Sequence, residues 1–177
     1  MNYYAIANGI VAGICFGFGL IFLFGGLRRR QQKRLNLLFA VFALAYAGTL
    51  FNGIRFHNAA TVESYVAIIR GDTIFVVLAF VALIWFVAEY TNVKPRPFLW
   101  ALTAAFVAVG IAQLVRVNLS YDQILGLGSV TMPWGEEVAY LEATDSAWSL
   151  LFLAAQLATL GYMIQACLGQ YRRGQRS

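Results

Sequence analysis

Charge is scarce in this sequence: Asp, Glu, Lys and Arg make up 12% of its 177 residues. A soluble domain carries about twice that share, because it must cover its surface with polar groups. A water-facing globule of this composition is therefore excluded. Histidine occurs once, which rules out a three-histidine metal site and bis-histidine haem ligation within the chain. The two cysteines, Cys15 and Cys167, fall in separate apolar runs near opposite ends, at different expected depths. A disulfide between them is not expected, they fit no metal-ligand spacing, and they read as packing thiols. The three prolines, Pro95, Pro97 and Pro133, are expected in connections, where a missing N–H does no harm. HExxH, Cys-x-x-Cys, P-loop and Gly-x-Ser-x-Gly patterns are all missing. The expectation is a non-enzymatic protein with no cofactor indicated.

Apolar residues are plentiful, at 60% of the chain and a mean hydropathy of +0.69. A hydrocarbon core of about 30 Å takes roughly 20 helical residues to cross. Five runs meet that length: Tyr3–Leu27, Asn36–Ile54, Val66–Tyr90, Phe98–Val115 and Ala147–Leu168. The expected fold is an all-α, five-helix transmembrane bundle forming a single domain over residues 1–177. Basic residues follow the first run instead of preceding it, as in a retained helix and not a cleaved signal.

The charges sort by side. With the N-terminus outside and the C-terminus inside, ten of the thirteen basic residues face the cytoplasm: Arg28, Arg29, Arg30, Lys33, Arg34, Lys94, Arg96, Arg172, Arg173 and Arg176. Seven of the eight acids face outward, all but Glu89. The positive-inside rule selects this orientation. Although the pI is near 9.5, the basic residues lie at membrane edges, so the expected partner is the lipid bilayer and not nucleic acid.

The links Arg28–Leu35 and Thr91–Pro97 are short, which makes their helices antiparallel neighbours. The outer segment Val117–Ser146 is too long for a bare link. In it, Ile124–Met132 and Glu137–Thr144 have strand-compatible patterns around Pro133-Trp134-Gly135, which predicts a small outer β-hairpin. Asn118-Leu119-Ser120 matches a glycosylation sequon, a weak pattern this close to a membrane. Gly9, Gly13 and Gly17 stand four residues apart on the first helix. Such a stripe lets another helix approach closely, within the bundle or between protomers.

Polar residues gather near the outer ends of the spans: Asn52, Arg55 and His57, then Arg70 and Asp72, then Gln113 and Arg116. Ionisable groups at membrane depth are costly and point to function. Asn52, Arg55, Arg70, Asp72, Gln113 and Arg116 are read as candidates for a cup holding a small polar or anionic ligand. The plainer alternative has the arginines snorkelling to headgroups, with one of them pairing Asp72. His57 is a candidate pH sensor because histidine titrates near neutrality; a solvated bystander is the simpler reading. Glu89 is expected to meet Lys94, Arg96 or an arginine of the first link, fixing helix ends.

The stretch Ala67–Pro97, and above all Phe86-Val87-Ala88-Glu89-Tyr90-Thr91, resembles the N-terminal seven-helix sensor region of bacterial histidine kinases and diguanylate cyclases. The outer segment 137–148 and the closing Tyr171-Arg172-Arg173 are loosely similar as well. The resemblance implies a sensory input module, with Phe86, Glu89, Tyr90 and Thr91 as its family element, relaying to a cytoplasmic output domain. These 177 residues hold the first five helices of that pattern and no PAS, kinase or cyclase domain. The chain is then either a piece of such a protein or a five-helix relative put to another use. Two functions follow: a signal-transducing module, or a small accessory subunit of a larger membrane complex. Either would have other membrane subunits or a second copy as partners. A transporter is disfavoured, since no inverted repeat or broken helix is seen.

Overall fold

The computed structural model describes residues 3–28, 32–115 and 121–174, except for the side chain of Arg173. Five helices run along it: α1 Tyr3–Arg28, α2 Lys33–His57, α3 Val62–Thr91, α4 Arg96–Val115 and α5 Ala147–Gly174. Each is long and apolar enough to cross a membrane. Between α4 and α5 lie strands β1 Tyr121–Thr131 and β2 Glu137–Asp145. The expected runs are thus present, with helix ends that extend beyond their apolar stretches.

Local chemistry accounts for those ends. Thr61 and Ser64 form a reciprocal capping box at the start of α3, each side chain accepting from the other's backbone N–H. Asn58 closes α2, its backbone N–H donating to Arg55 and its side-chain Nδ2 to the Ile54 carbonyl. Ser146 serves α5 in the same way: its Oγ accepts from the N–H groups of Trp148 and Ser149. Pro97 falls inside the first turn of α4 and not in the connection; its missing N–H is one that the helix start cannot use anyway.

Strands β1 and β2 pair antiparallel, from Thr131↔Glu137 at the tip to Tyr121↔Asp145 at the base, with irregularities between Tyr121/Gln123 and Ile124/Gly126. The expected hairpin is present, its strands longer than Ile124–Met132 and Glu137–Thr144. A turn closes it, with the Gly135 N–H donating to the Met132 carbonyl and Pro133 in the second position. Gly135 has φ +81°, a conformation that glycine takes without penalty.

Consecutive helices pack side by side, α1 on α2 and α2 on α3, while α3, α4 and α5 pack on one another. The core lies among the last three, around Ile84, Ala88, Leu99, Phe106, Tyr162 and Ala166. Phe80, Phe106 and Phe152 cluster there, with Phe80 and Phe106 centroids 4.9 Å apart and Phe106 edge-on to Phe152 at 5.7 Å. Asn118, Leu119 and Ser120 lie outside the described residues.

Glycine placement follows close approach. A Cβ at Gly48 would come within 2.6 Å of the Phe75 ring of α3, and one at Gly19 within 2.6 Å of the Leu44 side chain of α2. At Gly13 and Gly17 a Cβ would meet nothing within 4 Å, and at Gly9 only Ile54 at 3.9 Å. The Gly9–Gly13–Gly17 stripe thus lies largely open, and within the chain the tight α1–α2 contact belongs to Gly19 and Gly26. Substitutions separate the two kinds of glycine. Gly48→Leu should cost about 1–3 kcal/mol by overpacking against Phe75. Gly13→Leu should leave the unfolding transition of the detergent-solubilised monomer in place. An unchanged transition in Gly48→Leu would contradict the α2–α3 contact.

Candidate functional site

The bundle has two chemically different ends. At one, Glu89 of α3 sits between two cations: Lys94 Nζ at 2.6 Å and Arg34 Nη1 of α2 at 3.0 Å. The Thr91 hydroxyl donates to the Val87 carbonyl and accepts from the Val93 N–H, shaping the turn out of α3. The Tyr162 hydroxyl of α5 donates to the Val93 carbonyl at 2.8 Å. Phe86 packs against Phe39 of α2 and stacks on Tyr90. The Phe86–Thr91 element therefore joins α2, α3 and α5 at this basic end.

The opposite end carries the hairpin, and beneath the hairpin's base is a cavity of about 240 Å³. Phe56 of α2, Ile69 and Val76 of α3, Val109 of α4 and Trp148 and Phe152 of α5 form its apolar walls. Its polar groups are Asp72, Thr73, Gln113, Tyr121, Asp145 and Ser149. Tyr121 and Asp145 come from the base of the hairpin, so the hairpin roofs a space between helices. Burial, and then the nearby Asp145 charge, hold the Tyr121 phenol above its ordinary range. It remains a neutral O–H donor at physiological pH. The Ser149 hydroxyl donates to the Ser146 carbonyl, which fixes it in the first turn of α5.

Asp72 lies ten residues into α3, about 15 Å along the axis at 1.5 Å per residue. Its Oδ1 accepts a long bond, 3.4 Å, from Asn52 Nδ2 of α2. Arg55 Nη1 in turn donates to Asn52 Oδ1, also at 3.4 Å. Arg55, Asn52 and Asp72 thus form a chain in which the guanidinium stands one residue removed from the carboxylate. Among the described residues no cation forms an ion pair with Asp72. Arg70 donates instead to the Leu114 carbonyl near the end of α4, at 2.8 Å.

Of the six residues expected to form a cup, Asp72 and Gln113 line the cavity. Asn52 and Arg55 connect to it through Asp72, and Arg70 ties α3 to α4. Arg116 lies outside the described residues. Among the described residues no arginine or lysine lines the cavity, and its charged groups are the carboxylates Asp72 and Asp145. Phe56, Tyr121, Asp145, Trp148 and Phe152 were not expected there; the strand pattern and the aromatic entry to the last apolar run were their only signals. No group of three or more His, Cys, Asp or Glu among the described residues could hold a metal ion. Both cysteines are free, Cys167 exposed and Cys15 partly buried.

A second cluster holds the tip of the hairpin. Glu136 Oε2 accepts from Trp134 Nε1 at 2.9 Å and from the Tyr4 backbone N–H of α1 at 3.2 Å. His57 Nε2, at the end of α2, lies 3.1 Å from Glu136 Oε1, and the Tyr4 ring stacks on the imidazole. The two side chains are nearly enclosed, at 7% and 10% exposure, and so face each other instead of solvent. The hairpin therefore spans the bundle, rooted on α5 and anchored on α1 and α2. Enclosure raises the Glu136 carboxyl, but Trp134, the Tyr4 N–H and His57 together outweigh it and leave the group below its ordinary value.

No family model, curated protein or solved structure matches this chain.

The anchor has a testable consequence. A carboxylate held low stabilises the docked tip fully above the ordinary glutamate value of about 4.3 and loses that effect as pH falls through the depressed value. The protection of the backbone amides of residues 134–138 against hydrogen exchange, taken relative to the intrinsic rate at each pH, should therefore fall below about pH 4. Glu136→Gln should show the lower protection already at pH 7. Equal exchange in the two proteins across that range would mean that the tip is held by something else.

Proposed function

We propose that the chain is a non-enzymatic membrane input module: it binds a small ligand in the cavity under the hairpin and passes the bound state to the basic end of the bundle. The observation that carries this reading is the cavity itself, lined by α2, α3, α4, α5 and the hairpin base, with polar groups among apolar walls. Binding pockets of membrane bundles have this character, apolar for contact and sparingly polar for orientation. The route to the other end is short in physical terms. Helix α3 supplies Asp72 at the cavity and Glu89 at the basic end, 17 residues or about 25 Å apart. A ligand that favours one packing of α3 against α4 and α5 would bias where Glu89, Lys94 and Tyr162 sit.

The resemblance of 86–91 to sensor regions of histidine kinases and diguanylate cyclases supports the same reading. The resemblance implies a bacterial cytoplasmic membrane, and the charge distribution favours the hairpin outside and the basic end in the cytoplasm. One observation favours a different role. The open glycine face of α1 suits a neighbouring membrane subunit or a second copy, as in an accessory protein of a larger complex.

Two measurements address this. In intact cells, an impermeant thiol reagent should label a cysteine placed at Ser129 and spare one placed at Lys94, in a Cys15→Ala, Cys167→Ala background; the reverse pattern would overturn the orientation. Filling the cavity with Val109→Trp should mimic occupancy. Spin labels on Arg34 and Tyr171 should then report a changed distance distribution relative to the parent chain. An unchanged distribution would mean that the cavity is not coupled to the basic end, and the input-module reading would fail.

A further inference from the structure

We infer that the cavity under the hairpin takes a small amphipathic amine, an ammonium group carried on an aromatic or branched apolar body. The inference rests on the binding-module reading and adds the ligand's chemical class.

Size comes first. An engineered cavity of roughly 150 Å³ holds benzene, so a space of about 240 Å³ suits a ligand of about ten non-hydrogen atoms. Shape and polarity come next. The walls offer Phe56, Trp148 and Phe152, with aliphatic contact from Ile69, Val76 and Val109. An aromatic body packs well against such surfaces, and aromatic faces also attract a cation.

Charge decides the class. Among the described residues the lining carries two carboxylates, Asp72 and Asp145, and no basic side chain. Asp145 is exposed and can be satisfied by water. Asp72 is partly buried about 15 Å into a membrane-spanning helix, with a long hydrogen bond from Asn52 and the Thr49 hydroxyl of α2 beside it. A carboxylate in that position is costly unless a cation or several good hydrogen bonds compensate it. Arg55 is spent on the other face of Asn52, and Arg70 on the Leu114 carbonyl. An ammonium group entering the cavity would supply the missing charge. The Gln113 side chain, the Tyr121 hydroxyl and the Ser149 oxygen stand on the same lining as further polar contacts. An anionic ligand would meet two like charges, and a neutral one would leave Asp72 as it stands.

The test uses the full chain in nanodiscs of zwitterionic lipid, with three probes of near-equal shape: phenethylamine, 2-phenylethanol and 3-phenylpropionate. Calorimetric titration should show saturable binding of the amine. The alcohol should bind at least about tenfold more weakly, the loss expected when a hydrogen bond to a charged group is replaced by a neutral one. The carboxylate should show no binding. Asp72→Asn should bring the amine down to the level of the alcohol, and Asp145→Asn, at the exposed rim, should weaken it less. Amine uptake that survives Val109→Trp is partition into lipid and would overturn the inference. Equal binding of all three probes, or preference for the carboxylate, would overturn the amine class and leave the binding module standing. Binding of none, with the spin-label distances still responding to Val109→Trp, would do the same. Silence in both experiments would remove the module as well.

Discussion

Helix α3 has to satisfy α2, α4 and α5 at once, and the rest of the bundle is arranged around that requirement. Lipid tails are as apolar as leucine, so burial of apolar area does not hold membrane helices together; close packing and interhelical hydrogen bonds do. The face of α3 accordingly mixes small residues with a few large ones. Ala79, Ala82 and Ala88 are buried along it, and Phe75 seats over Gly48 of α2 while Val77 meets Gly110 of α4. The Trp85 indole N–H donates to the Thr103 hydroxyl, adding a polar link to α4. With 30 residues, α3 is about 45 Å long, well beyond the hydrocarbon core, so both of its ends reach regions where charged partners are tolerated.

The hairpin uses that surplus length. It leaves α5 through Ser146, covers the opening between α3, α4 and α5, and ends on Tyr4 and His57 of α1 and α2. An isolated two-stranded hairpin is marginal in water, so its order depends on what it rests upon. Here the base rests on the cavity rim and the tip on a carboxylate shared by Trp134, Tyr4 and His57. A structure held at two points and spanning the gap between them makes the hairpin sensitive to any change in helix spacing beneath it.

The spans were legible because length and hydropathy are local properties, and the hairpin because Pro133-Trp134-Gly135 is local turn chemistry. The site was only half legible. Asp72 and Gln113 stood out as polar groups in apolar runs, but nothing in the sequence says that Arg70 will turn to the carbonyl of Leu114 instead of to Asp72 two residues away. Carbonyls in the last turn of a helix lack intrahelical donors, and a nearby guanidinium is a strong candidate to supply one. With that arginine committed elsewhere, Asp72 and Asp145 are the charged groups of the described lining. The Glu136–His57 contact bridges 79 residues and depends on the hairpin folding back over the bundle, which no periodicity encodes. The Phe86–Thr91 element was visible as a pattern, and its physical content is the two-cation seat of Glu89 together with the Thr91 turn.

Why the cavity exists where it does follows from the same packing logic. Between α3, α4 and α5 the interior is filled from the Phe80–Phe106–Phe152 cluster down to Ala166. Above Phe152 and Val109 the facing positions become Asp72, Thr73, Gln113 and Ser149. These polar side chains do not interlock as the phenyl rings do, and Thr73 and Ser149 turn their hydroxyls back to their own helices, so a space is left between the helices there. The bundle is consequently tight at the basic end and loosely filled under the hairpin. Regions with fewer packed contacts open at lower free energy than the rest of a fold. A ligand that completes the packing under the hairpin would act on the part of the molecule least committed to one arrangement, while the filled core below carries the result along α3 as a rigid element.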